Sequence, residues 1–323
     1  MSEMEYTYAV ARIRALEVSL FSQSTIDQLM ACKSYDAALN FVVDKGWGGI
    51  DVKKDADAIL AAERSKIWEM IRELRVPMDT FDVLSYPNVF HNLKTAIKEV
   101  YMDVQHDEFY YDETVPSRDE LRDIVSKKEF YRLPKSMEAA AQDAFDTILH
   151  TRDGQLCDVI IDRACLEAIE KAGVESDAEI IRTYAKTVVA VANIKIAVRS
   201  EKTGKSIEFM NRAMAPCSGI DVERLAKAAL SGFTSICDYL TSSGYADAAE
   251  ALKVSPSAFE RWCDNYLIEM IRPQKYKAFS VGPLVAYVLA RENEIKTVGI
   301  ILSGKLNGLT DDSIRERIRE MYV

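Results

Sequence analysis

The sequence predicts an all-α protein made of three related helical copies. Glycine and proline are scarce, at 13 and 8 of 323 residues, against average usages of roughly 7% and 5%. A chain short of both residues favours long helices. Apolar residues recur at helical spacing from the start, as Ala9, Ile13 and Leu16 do. No clear period-two alternation between hairpin turns indicates a strand.

Capping residues predict where the first helices begin and end. Ser24 to Asp27 has the spacing of a capping box ahead of an apolar run. Ser34 fits the N-cap of a second short helix, and Gly46 is expected to end it, because glycine readily adopts the left-handed conformation that follows many helices.

The same signals predict the long helices. Ser176 and Glu179 repeat the capping-box pattern and open a helix expected to reach about Gly204. Pro87 and Pro283 are each expected in the first turn of a further long helix, where the missing N–H costs nothing.

The stretch "GIILSGKL", which begins at Gly299, comes close to the spacing of a phosphate-binding loop. Leu306 stands where that loop requires serine or threonine, and apolar residues fill the loop interior. We therefore expect no nucleotide here. Gly304 is predicted to cap the third long helix, with Lys305 near the negative end of its dipole and Thr310 capping the final helix.

Three stretches of the long helices align without gaps and predict an internal repeat. They read HNLKTAIK, ANIKIAVR and NEIKTVGI, and their aligned polar residues are 101 residues apart each time: Asn92, Asn193 and Glu294. Two positions later stands a lysine in every copy: Lys94, Lys195 and Lys296. An acidic residue precedes each lysine by 31 to 33 residues: Glu63, Asp162 and Asp264.

The repeat predicts three helical domains, at residues 1–104, 105–206 and 207–323. Three units of this length do not fit the standard helical arrays, whose periods are about 33 to 47 residues. We expect them to form a pseudo-threefold, funnel-like structure with the repeated polar positions facing a shared axis.

Charge and composition exclude several classes of function. The net charge of −10 argues against nonspecific binding of nucleic acid as the main function. No segment reads as a signal peptide or a membrane span. The six cysteines are scattered, without zinc-site spacing, and read as reduced thiols of a cytosolic protein.

One acidic stretch, residues 103–120, offers possible metal ligands: His106, Asp107, Glu108, Asp112 and Glu113. It lacks EF-hand spacing and a fixed helical face, so we expect a solvated linker rather than a metal site. No cofactor is predicted anywhere in the chain.

The repeats resemble a known family. The segments "YAVARIRALE", "FHNLKTAIK", "ANIKIAVR", "VAYVLARENEIKTVGIILSGKLNGL" and "IRERIREMYV" are similar to the C subunit of bacterial and archaeal V/A-type rotary ATPases and ATP synthases, the equivalent of the d subunit of eukaryotic V-ATPases. The resemblance covers almost the whole chain, and its C-terminal block is the most specific part.

The resemblance implies a noncatalytic central-stalk protein. Such a protein sits on the membrane rotor ring, receives the central shaft formed by the D and F subunits, and couples rotation to proton or sodium transport. The resemblance also implies a cytoplasmic protein that is peripheral to the membrane. Two alternatives remain: an all-helical adaptor that binds a different partner in its central cavity, and an all-helical enzyme with a site there.

The repeated polar residues allow two interpretations. In the first, Glu63 with Lys94, Asp162 with Lys195 and Asp264 with Lys296 are ion pairs that join two helices of one copy. In the second, the repeated side chains line the funnel and contact the inserted shaft: Asn92, Lys94, Asn193, Lys195 and Lys296. Repeat proteins keep positions for packing first, which favours the structural interpretation.

Overall fold

The computed structural model describes residues 6–49, 55–112 and 114–323. Within these ranges the regular secondary structure consists of sixteen α-helices and short 3₁₀ segments, without any strand. The prediction of an all-α fold is confirmed.

The helices follow the predicted copies in chain order. The first segment contains α1 (Thr7–Glu17), α2 (Gln23–Ala31), α3 (Tyr35–Asp44), α4 (Ala56–Glu73) and α5 (Asp79–Met102). The second contains α6 (Arg118–Lys127), α7 (Lys135–Thr151), α8 (Gly154–Glu175) and α9 (Glu179–Lys202). The third contains α10 (Ile207–Ala213), α11 (Val222–Ser231), α12 (Phe233–Ser242), α13 (Ala246–Val254), α14 (Pro256–Ile271), α15 (Gly282–Leu306) and α16 (Asp311–Arg315).

A pair of consecutive helices recurs in all three segments. The pairs are α4 with α5, α8 with α9, and α14 with α15. The second members contain 24, 24 and 25 residues and carry the aligned lysines, whereas the first members carry the aligned acids. Each copy therefore places its acid and its lysine on consecutive helices.

The chain divides into two compact units. One consists of Met1–Met78 with Asp247–Val323, and the other of Asp79–Ala246. Each long helix packs on helices of the following copy: α5 contacts α6, α7 and α8, and α9 contacts α10, α11 and α12. Helix α15 contacts α1, α2, α3 and α4, so the third copy packs on the first. The three-domain boundaries and the funnel remain predictions.

Helix α15 is the most deeply buried element of the first unit. Of its 25 residues, 18 are buried, including the run from Gly282 to Arg291. A helix that is apolar on every face needs neighbours on every side, and α15 is covered by the first four helices and α14. No helix among the described residues is both long and apolar enough to cross a membrane.

Several predicted boundaries agree with the structure. Ser34 caps α3, which ends two residues before Gly46, and Gly46 has a φ of +89°. Pro283 lies in the first turn of α15, and Thr310 caps α16. The start of α2 was predicted two residues late, because the hydroxyl of Ser22 accepts the capping hydrogen bond.

Pro87 does not begin a helix. It lies inside α5, which starts at Asp79. Since proline has no N–H, the carbonyl of Val83 lacks its usual helical donor at that point. Burial of the helix on both sides of the proline, at Leu84 and Val89, outweighs this local loss.

Gly304 does not end α15 either. The helix continues to Leu306, and the glycine in the left-handed conformation is Gly308, with a φ of +65°. Gly304 is a packing residue, because a Cβ atom there would lie 2.6 Å from Cγ1 of the buried Ile314. The chain between Leu306 and Thr310 can then fold α16 back onto α15.

Gly304→Ala is expected to destabilise the protein by about 1–3 kcal/mol, because α16 must shift to admit the methyl group. Gly299→Ala is the matched control in the same helix, since its Cβ would lie 3.2 Å from the flexible Cδ1 end of Leu60. That change should be neutral or stabilising by up to about 1 kcal/mol. Urea unfolding measures both, and equal effects would contradict the close approach of Gly304 and Ile314.

Candidate functional site

The aligned asparagines hold the backbone of the loop that leads into the next copy. The side-chain amide of Asn92 donates to the carbonyl of Tyr111 at 2.8 Å, and its oxygen accepts from the N–H of Tyr111 at 2.9 Å. Asn193 makes the same pair of bonds with Ala215, at 2.9 and 3.0 Å. Both asparagine side chains are fully buried. Their amides bind the chain's own backbone.

Glu294 occupies the aligned position in the third copy and bonds to the first copy. It accepts a 2.5 Å hydrogen bond from the N–H of Phe21. A carboxylate cannot donate a second bond to the same peptide group, so the two-bond contact of the asparagines is not repeated. The neighbouring Asn293 donates to the carbonyl of Glu320 at 2.9 Å instead.

A buried ionic cluster surrounds Arg291 of α15. Its guanidinium donates to Glu63 of α4 at 2.5 Å and to Glu294 of its own helix. The side chains of Arg291, Glu63 and Glu294 are 10%, 4% and 3% exposed, respectively. Glu63 also accepts from the N–H of Gly48 at 2.8 Å and from Lys66 at 2.5 Å. The cluster therefore joins α4, α15 and the loop after α3.

The charges in this cluster depend on one another. Burial raises the pKa of Glu294, and the adjacent Arg291 only partly opposes this shift. Burial alone would lower the pKa of Arg291, but Glu294, Tyr287 and Glu63 raise it. The guanidinium also lies over the ring of Trp47, 5.2 Å from the ring centroid. Arg291 thus stays charged, and together with Lys66 it balances the two carboxylates.

The partners of the aligned acids differ among the copies. Asp264 accepts from Lys296 at 2.6 Å, as in the predicted pairing, and from Arg319 at 2.7 Å. Asp162 accepts from Lys94 of the preceding copy at 2.8 Å. The partners of Glu63 are Arg291 and Lys66, not the predicted Lys94. This exchange follows from the packing, in which each long helix lies against the following copy.

The aligned lysines are more accessible than the asparagines. Lys94 and Lys195 are half-buried, and Lys296 is exposed. Lys305, the lysine of the near-match to a phosphate loop, has an almost fully buried side chain. Its ammonium donates to the carbonyls of Met30 and Cys32 at the end of α2, at 2.9 and 2.5 Å. It neutralises the negative end of that helix, not of its own, and has no free face for a phosphate.

Most described residues of the acidic stretch at 103–120 are exposed, as expected of a solvated linker, but the stretch is also bonded to α5. Glu99 of α5 accepts hydrogen bonds from the N–H of His106, the hydroxyl of Tyr110 and two nitrogens of Arg122, at 2.5 to 2.9 Å. His106 bonds to Glu108 at 3.0 Å. Glu113, another candidate ligand, lies outside the described residues. Glu99 thus organises this segment between α5 and α6.

Sequence reasoning missed Glu99, Arg122 and Arg291. Arg291 stands three residues before Glu294, a spacing that places both on one helical face, so this pair was visible in the sequence. Its contact with Glu63 spans 228 residues and had no local signal. The described residues contain no group of three or more His, Cys, Asp or Glu side chains arranged to hold a metal ion.

Comparison with known proteins gives a consistent assignment. The family model described as ATP synthase (C/AC39) subunit matches residues 9–317. The C subunit of the V-type sodium ATPase of Enterococcus hirae is 23% identical, with 99% of each chain covered. The C subunit of the A-type ATP synthase of Methanocaldococcus jannaschii is 24% identical, covering 96% of this chain and 85% of that protein. Its counterpart in the A-type ATP synthase of Haloferax volcanii is 22% identical, with 96% of each chain covered.

Arg291→Met is expected to destabilise the protein by about 3–5 kcal/mol, because it leaves the buried Glu294 without a cation and Glu63 with Lys66 alone. Adding Glu63→Gln and Glu294→Gln should restore much of the loss, since the amide oxygens still accept from Gly48 and Phe21. Arg272→Met is the control, because its side chain is 38% exposed and pairs with two surface acids; it should cost below about 1 kcal/mol. Chemical unfolding measures all three, and no rescue in the triple variant would contradict the charge argument.

Glu99 should make the unfolding free energy depend on acidic pH. Burial alone would raise its pKa, but hydrogen bonds from Arg122, Tyr110 and His106 lower it from 4.5 to about 2. An acid with a lowered pKa stabilises the fold above its unfolded pKa and loses that contribution as pH falls through the folded value.

The difference in unfolding free energy between the wild type and Glu99→Gln should therefore be largest above about pH 5, on the order of 2 kcal/mol, and shrink toward about pH 3. Urea unfolding at several pH values measures it, with the exposed Glu223→Gln as control. A difference that does not change with pH would show that Glu99 acts through packing alone.

Proposed function

Because the chain belongs to the ATP synthase (C/AC39) subunit family, we propose that it is the central-stalk component of a V/A-type rotary ATPase or ATP synthase. In this role it stands between the membrane rotor ring and a shaft of the D and F subunits, on the cytoplasmic side of the membrane. It couples rotation of the shaft to transport of protons or sodium ions. Membership in the family makes it a structural subunit and not a catalytic one.

The single observation that carries the proposal is the length of the match. The family model runs from residue 9, in α1, to residue 317, after α16, so it includes nearly the whole described fold. The matched relatives are named as the C subunits of both V-type and A-type complexes. An adaptor that had kept only part of the fold would match over a shorter range.

The internal bonding supports a mechanical role. Buried side-chain contacts join the long helices to neighbouring copies at Asn92, Asn193 and Glu294, each through a backbone group. Paired, fully bonded polar groups rigidify a protein interior. A protein that passes torque from a shaft to a ring needs this stiffness and needs no reactive group.

We assign the shaft contact to the aligned lysines rather than to the asparagines. The side-chain amides of Asn92 and Asn193 are hydrogen-bonded to backbone groups inside the fold. Lys94, Lys195 and Lys296 retain partial or full exposure, so their ammonium groups can exchange an internal contact for one with a partner.

Reconstitution tests the role directly. A complex that lacks only this chain, with the rotor ring, the D/F shaft and the ATP-hydrolysing head present, should hydrolyse ATP without pumping ions. Adding the chain should restore ATP-driven ion uptake into vesicles, while the chain alone should turn over no nucleotide. If uptake stays uncoupled although the chain is folded, or if the chain binds neither the ring nor the shaft, the proposed function fails.

Single-lysine variants test the assignment of the shaft contact to the aligned lysines. Lys195→Met should leave the melting temperature nearly unchanged and weaken D/F binding. Lys202→Met, at the exposed end of the same helix, should leave binding unchanged. A loss of folding with intact affinity per folded molecule would instead assign Lys195 to the architecture.

A further inference from the structure

Lys296 also lines a cavity, together with Arg64 and Arg317. The cavity has a volume of about 320 Å³ and lies among α4, α15 and the C-terminal segment. Arg64 projects from α4 and Arg317 follows α16. Its lining among the described residues includes three cations and no carboxylate, although the whole chain carries a net charge of −10.

The space over α15 exists because the third copy has glycine where the other copies have aliphatic residues. Gly299 aligns with Ile97 and Val198, which are both buried. Gly299 lines the cavity, and the atom nearest to its missing Cβ is Cδ1 of Leu60, at 3.2 Å. The copy that carries the three cations is thus the one whose helix surface is open.

The positive charge of the cavity is only partly balanced within the chain. Lys296 pairs with Asp264, but Arg319 pairs with the same carboxylate oxygen, so two cations share one acid. Arg64 acts on Glu292 across a distance, without an ion pair between them. Burial raises the pKa of Glu292 to about 7, against the opposing charge of Arg64. Arg64 itself is exposed at the cavity, and no ion pair joins it to a carboxylate among the residues that the structure describes.

Arg317 has no carboxylate partner at all among the residues that the structure describes. Its neighbour two positions earlier, Arg315, lies 3.5 Å from Asp27, and Arg319, two positions later, is bound to Asp264. Arg317 is exposed at the cavity between these paired arginines. Its guanidinium is free to bind an anion from outside the chain.

Apart from Ser303, the rest of the lining is apolar and selects among anions. Leu60, Ile300 and Leu309 contribute to it, and Leu309 is 40% exposed. A free inorganic oxyanion gains nothing from apolar contacts, whereas an acidic side chain beside a leucine or isoleucine uses both parts of the surface. The volume of about 320 Å³ accommodates one or two side chains.

We propose that the Arg64–Lys296–Arg317 cavity is a docking site for an acidic, apolar-flanked segment of a partner protein. A carboxylate of that segment binds between the guanidinium groups, and an adjacent aliphatic side chain enters the space over Gly299. This assignment rests on the proposed function only for the expectation that the partner is another component of the rotary ATPase.

The site is tested on the purified full-length chain, separately from the assembled complex. The probe is a capped peptide of about seven residues of alternating glutamate and leucine, with a glutamine-for-glutamate peptide and inorganic phosphate as comparison ligands. Binding is followed by NMR shift changes at low ionic strength. The acidic peptide should bind in a salt-sensitive way and more tightly than either comparison ligand.

Arg64→Gln and Arg317→Gln should each weaken binding of the acidic peptide by about two- to fivefold, and Gly299→Val should weaken it by filling the cavity. Arg315→Gln is the matched control, since Arg315 lies on the same segment but pairs with Asp27 outside this cavity; it should leave binding unchanged. Melting temperatures confirm that each variant is folded, and if Gly299→Val is not, the two arginine variants decide the result.

Equal binding by the wild type and both arginine variants would overturn the site. Equal binding of phosphate and the acidic peptide would overturn the choice of an acidic segment as its occupant. Peptide binding together with failed reconstitution would support the docking site and reject the rotary role. Successful reconstitution without peptide binding would support the rotary role and reject the docking site.

Discussion

The first compact unit depends on the balance between Arg291 and the carboxylates of Glu63 and Glu294. An isolated carboxylate in such a place would be very costly, and here Arg291 binds both acids while Lys66 supplies a second cation to Glu63. The acids also accept the N–H groups of Gly48 and Phe21, so a single charged centre orients two loops and two helices. Because those helices are α4 and α15, the cluster joins residues that lie 228 positions apart in the chain.

The contacts at the aligned positions follow one pattern. In each copy a polar residue on the long helix bonds to the backbone of a loop in the next copy, and the third copy bonds to the first. A side chain that binds a backbone group holds its neighbour whatever residue stands there. This explains how the copies can differ widely in sequence and still keep one mode of packing, and it suits a protein that works as a stiff coupling element.

Sequence reasoning succeeded where local rules apply and failed where distant segments meet. The caps at Ser34 and Thr310 and the helix start at Pro283 depend on neighbouring residues, and all three are confirmed. Glu63 was rightly marked as a charged position that needs a partner, but its cation, Arg291, lies 228 residues away. Gly304 looked like a helix end because glycine favours C-caps, whereas the close approach of Ile314 explains it. The acidic stretch is mostly exposed, as its composition indicates, but nothing local reveals that Glu99 binds it.

The sequence by itself determined the all-α class, the recurrence of a helix pair and the family resemblance, because helical periodicity, capping and repeated motifs are properties of the linear chain. Only the tertiary structure decided what the repeated polar residues do. Asparagine can face a partner or bind a backbone group, and an acid can pair with any cation within reach. Burial and distance in the folded chain determine which of these contacts forms. Asn92 and Asn193 are buried and bind backbone groups, whereas Lys296 lines an open cavity with two arginines.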